Sequence, residues 1–93
     1  MNKQKLSRLR RRINALRTRL GNIESRELES LAKALGREPA NRGDHPTYVS
    51  ELLPNSPPLS IPHHSTTLKK GTAGNILDRL QDDVDELENL LPS

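Results

Sequence analysis

An α+β domain is predicted, with two helices leading into an antiparallel strand meander and a third helix closing the chain. Three observations predict it. Leu6, Leu9, Ile13, Leu16 and Leu20 recur at alternating spacings of three and four, and Leu77, Leu80, Val84, Leu87 and Leu91 repeat that pattern. Between these ends lie short β-prone runs around Tyr48 and Ile61, parted by the proline-rich turn P-N-S-P-P. The chain has 93 residues, 31% of them hydrophobic, which allows one small domain.

The first helix carries Lys3, Lys5, Arg8, Arg10, Arg11, Arg12, Arg17 and Arg19 around its leucine seam, with no acid within residues 1–20. Gly21-Asn22 ends it. A second helix is expected from Ser25 as N-cap, with Leu28, Leu31, Ala32 and Leu35 as its apolar stripe and Gly36 as its C-terminal stop. Strands follow at Arg37 to Asn41, which is short and weak, at Pro46 to Leu53, and at Leu59 to Pro62. Pro54 to Pro58 forms the turn between the last two, because prolines cannot donate to a strand ladder. Thr72 opens the last helix after Gly71. That helix carries Asp78, Asp82, Asp83, Asp85, Glu86 and Glu88 against Arg79. Two seams with opposite flanking charge suit each other, within one chain or between two chains as a homodimer. A solvated face balancing the acidic helix and an RNA-binding arm are both open readings of the basic helix.

Composition removes several classes. Without cysteine there is no disulfide framework, and the chain suits a reducing, cytoplasmic setting. His45, His63 and His64 lack the spacing of a structural zinc site, so no metal or other cofactor is expected. No apolar run approaches membrane-spanning length and no signal peptide is visible. The formal charge of +3 suits a nucleic-acid partner. No nucleophile elbow or paired carboxylates can be read.

Three blocks stand in order: S-R-E-L-E-S-L-A-K-A-L-G, then R-G-D-H-P-T-Y-V, then L-S-I-P-H-H-S-T-T-L-K-K-G-T. Together they resemble the HicA toxins of bacterial toxin–antitoxin systems, over roughly residues 25 to 80. The resemblance implies a fold like the double-stranded-RNA-binding domain, a three-stranded antiparallel sheet with helices on one face. Residues 1–22 would then be a basic helical extension and residues 23–93 the HicA-like domain ending in an acidic helix. It also implies metal-independent endoribonuclease cleavage of mRNA, inhibition of translation, and a HicB-like antitoxin partner that covers the active surface. The family's functional histidine falls on His45, its second-strand histidine on His64, and its lysines on Lys69 and Lys70. Arg42 belongs to the same R-G-D-H turn and joins the RNA-binding set with Gly71 and Thr72. Asp44 and Pro46 depart from the family pattern. A carboxylate beside His45 repels phosphate, and the proline stiffens the turn.

The chemistry fits these residue types. RNA carries its own nucleophile, the 2′-OH, so a metal-free enzyme needs a base, cationic support for the phosphate and an acid for the leaving oxygen. Histidine, with an ordinary pKa of about 6.5, transfers protons near neutral pH. His45 would be the base and His64 the acid or an RNA contact. Lys69, Lys70 and the free N–H groups around Gly71 and Thr72 would hold the phosphate. Each also has a plainer reading: a turn histidine, a loop hydrogen bond, a solvated pair of lysines. Tyr48 reads more readily as a core-edge aromatic than as a base-stacking platform. The alternative function is a non-catalytic RNA-binding module of the same fold.

Overall fold

Asn2 starts the first helix. Its side chain accepts the Lys5 backbone N–H at 2.8 Å, and α1 runs Lys3–Arg17. The computed structural model describes residues 1–42, 45–62 and 67–92, without the side chains of residues 41, 42, 45 and 46. After α1 the chain reverses through Gly21, whose φ of +95° favours glycine. The second helix, α2, spans Ser25–Ala34. Ser25 is not its N-cap. Glu24 takes that place in a capping box with Glu27, whose carboxylate accepts the Glu24 N–H at 2.9 Å. Two carboxylates three residues apart supply reciprocal acceptors, which frees the Ser25 hydroxyl to bond the Pro62 carbonyl. Gly36, at φ +88°, turns the chain out of α2 as expected.

Strands β1 (Arg37–Arg42), β2 (His45–Ser50) and β3 (Leu59–Ser60) form one antiparallel sheet in the order β1-β2-β3. The first strand is full length, because all six of its residues pair with β2, from Arg37 with Ser50 to Arg42 with His45. The second ends three residues before Leu53, and β3 stops before Pro62. Tyr48 and Leu59, paired across β2 and β3, are buried in the core, whereas Thr47 and Val49 are only half-buried. The last helix, α3 (Lys70–Leu90), begins two residues earlier than expected, with Lys69 as N-cap. The protein is therefore α+β, with three helices and a three-stranded antiparallel meander.

The two leucine seams meet within one chain. Leu6, Leu9, Ile13 and Leu16 of α1 share a single buried cluster with Leu77, Leu80, Val84 and Leu87 of α3. Arg10 pairs with Asp85 at 2.8 Å and Glu88 at 2.9 Å, and Arg17 pairs with Asp78 at 2.9 Å. Rising numbers on α1 meet falling numbers on α3, so the helices are antiparallel. Leu20 and Leu91, the last members of each seam, are only partly buried.

One charge pair lies inside. Arg37 has no exposed surface. Its Nε donates to Asp83 Oδ2 at 2.6 Å and its Nη2 to Asp83 Oδ1 at 2.9 Å. Nη1 donates to the carbonyls of Tyr48 at 3.1 Å and Pro57 at 3.3 Å, and Nη2 reaches Ser56 Oγ at 3.0 Å. One guanidinium thus joins β1, β2, the proline-rich turn and α3.

Candidate nucleic-acid interface

The site predicted from sequence divides between residues that the structure describes and residues that it does not. His63 and His64 lie outside the described residues, as do Gly43 and Asp44. His45 is placed by its backbone: it opens β2 and pairs with Arg42, the last residue of β1. The side chains of Arg42, His45 and Pro46 are outside the description. The third strand pairs Leu59 with Tyr48 and Ser60 with Thr47, so it runs toward the His45 end of β2.

Contacts gather the starts of both later helices at that end. Pro62, just past β3, accepts from Ser25 at the head of α2. Glu24 bridges to Thr67, and the Leu68 N–H donates to the Ile23 carbonyl at 2.9 Å. The residues leading into α3 are thereby pinned beside the head of α2. Lys69 and Lys70 are both exposed there. The stem of Lys70 lies over Gly21, where an added Cβ would meet Lys70 Cε at 2.9 Å. Gly21 thus serves both a left-handed turn and the seat of this lysine.

The first intrahelical bond of α3 runs from the Ala73 N–H to the Lys69 carbonyl at 2.9 Å. The N–H groups of Lys70, Gly71 and Thr72 precede it and have no carbonyl within the helix. A lysine N-cap offers no side-chain acceptor, so partial positive charge and two ammonium groups coincide. Gly71 faces open space, with nothing within 4 Å of a Cβ built there.

Beside this helix start, a cleft of about 380 Å³ separates β3 from the first turns of α3. It is lined by Pro58, Leu59, Ser60, Pro62, Thr72, Asn75, Ile76 and Arg79. Arg79 donates to the Pro57 carbonyl at 3.1 Å. Sequence reasoning included Thr72 but missed Ser60, Asn75 and Arg79. Thr72, Asn75 and Arg79 stand three and four residues apart, a polar stripe beside the apolar one, and that spacing was the available signal.

Tyr48 is not a stacking platform. Only 5% of its surface is exposed, and burial pushes its hydroxyl pKa up, with the nearby Glu29 carboxylate adding to the shift. Among the described residues, no helix is long and apolar enough to cross a membrane. No protein-family model, curated protein or solved structure matches the chain.

Proposed function

We propose that the chain is a ribonuclease toxin of the HicA type, with a fold like the double-stranded-RNA-binding domain. It cuts mRNA in the cytoplasm without a metal, inhibits translation, and is silenced by a HicB-like antitoxin covering the same surface. One observation carries the reading. β3 runs toward the end of β2 that His45 opens, and contacts of Pro62 with Ser25 and of Leu68 with Ile23 bring the amino terminus of α3, with Lys69 and Lys70, next to the chain leaving β3, beside a cleft along β3. The element order from α2 to α3, helix, three antiparallel strands, helix, supports it as well.

In this mechanism a phosphate of the RNA rests on the free N–H groups of Lys70, Gly71 and Thr72, neutralised by the two ammonium groups. The His45 imidazole takes the proton of the adjacent ribose 2′-OH. The 2′-oxygen then bonds to phosphorus and the bond from phosphorus to the 5′-oxygen breaks. The leaving oxygen receives a proton from His64. The products are a 2′,3′-cyclic phosphate and a 5′-hydroxyl.

Replacing His45 with alanine tests it. Cleavage of a long RNA in EDTA should fall by about 10²–10⁴-fold, the usual share of general acid–base catalysis, with RNA affinity retained. Equal cleavage by variant and parent would remove His45 from the mechanism. RNA binding without cleavage by either would leave a non-catalytic RNA-binding module.

A further inference from the structure

Five of the seven cations of α1 fall on two unlike flanks of the helix, with Lys3 and Arg11 exposed outside both. Arg10 and Arg17 face α3 and are matched by its carboxylates. Lys5, Arg8 and Arg12 are exposed on the opposite flank of the helix, and no ion pair among the described residues includes them. They recur at three and four residues, so they form one row. Arg19, in the turn just past the end of α1, continues the row toward α2.

The row opens into a groove of about 420 Å³ between α1 and α2. Its floor is Ala15 and Leu16, and Arg12, Arg19 and Arg26 stand around it with Glu27 and Ser30. Arg19 bonds Glu27 at 2.6 Å and Arg26 bonds Glu24 at 2.7 Å. Both are surface pairs, so they are weak, and each guanidinium keeps further N–H donors. The antiparallel packing of α1 on α3 sets the direction of the row. Within the helix it runs about 10 Å, at 1.5 Å per residue from Lys5 to Arg12, and through Arg19 it reaches the head of α2 and the start of α3.

We infer that this row and groove form a second phosphate track, on which an RNA strand lies before reaching the end of the molecule that holds His45. The inference takes RNA as the ligand from the proposed function, but it needs no cleavage. Exposed cations at regular spacing match a phosphodiester backbone, which repeats its charge along its length. The apolar floor with its guanidinium planes accommodates a base without reading its identity.

The test uses the full chain carrying His45→Ala, so that bound RNA stays intact, and a single-stranded oligouridylate as probe. Binding is measured over a salt series with and without K5Q/R8Q/R12Q. The triple variant should lose about two units from the slope of log K against log salt, at about 0.7 per phosphate contact. Arg10→Gln, on the flank that faces the α3 carboxylates, should leave the slope unchanged. Should the triple variant melt lower than its parent, Arg12→Gln alone should still lose about 0.7. An unchanged slope in both would overturn the track. So would loss of binding to a polyglutamate peptide with RNA binding intact, which would make an acidic protein the occupant. Cleavage by the wild-type protein is scored separately. Its absence would sink the ribonuclease reading and leave the track standing.

Discussion

Removing Asp83 leaves the Arg37 guanidinium charged, buried and facing neutral acceptors alone. Asp83→Ala should therefore destabilise the fold by about 3–5 kcal/mol in denaturant unfolding. Replacing both partners with apolar residues, as in R37M/D83L, should recover most of that loss, because no charge then remains to be desolvated. A double variant as unstable as the single one would show that the hydrogen bonds to Tyr48, Pro57 and Ser56 hold the site together instead. The pair was not read from the sequence, where Asp83 counted among the acids flanking the Leu77, Leu80, Val84, Leu87 and Leu91 seam, yet it is buried. Ile76, Leu80, Asp83 and Leu87 form a second row at 4, 3, 4 spacing, and that missed row was the available signal. Periodicity marks such a position as inward. It cannot name a partner 46 residues away, because that contact depends on how the sheet docks. The role of His45 was legible only through resemblance, since a histidine after a turn looks alike whether it is idle or catalytic.

At the scale of elements, the capping box at the head of α2 has a pH signature. The Glu24 N–H holds the Glu27 carboxyl below its ordinary pKa, outweighing burial, with Arg19 lowering it further. A depressed folded-state pKa means that this stabilisation is present above the ordinary carboxylate range. It is lost as pH falls through the folded value. Glu27→Ala should lower stability near neutral pH by about 1 kcal/mol, and the gap from the parent should close in acid. A gap independent of pH would assign the loss to packing rather than to the carboxylate. The sequence favoured Ser25 as the cap because hydroxyls are common there, and the Glu24–Glu27 spacing was the stronger clue. Helix existence was readable throughout, since 3.6-residue periodicity is written locally. Strand ends were less so, because pairing partners decide where a ladder stops: β3 keeps two residues of a four-residue candidate.

Across the whole molecule, the basic helix belongs to the same core as the rest. Leu6 and Ile13 have no exposed surface, and Leu9 and Leu16 are nearly as buried. Deleting residues 1–20 should lower the melting temperature and uncover the α3 seam, seen as aggregation in light scattering. A truncated protein that is equally stable and monodisperse would refute this packing. For a milder change, Leu9→Ala should cost about 2–5 kcal/mol, read from chemical denaturation. That the terminal seams match was visible in their spacing and charge. That they close within one chain was not, since both arrangements satisfy one pattern. The antiparallel arrangement also has a mechanical consequence. Asn2 and Leu91 cap adjacent ends of α1 and α3, so both termini leave from one edge of the molecule. Tension applied through them loads the outermost turn first and parts the Arg10 contacts before those of Arg17. The helices therefore peel apart one turn at a time at low force, instead of resisting along their whole length as helices pulled in shear would.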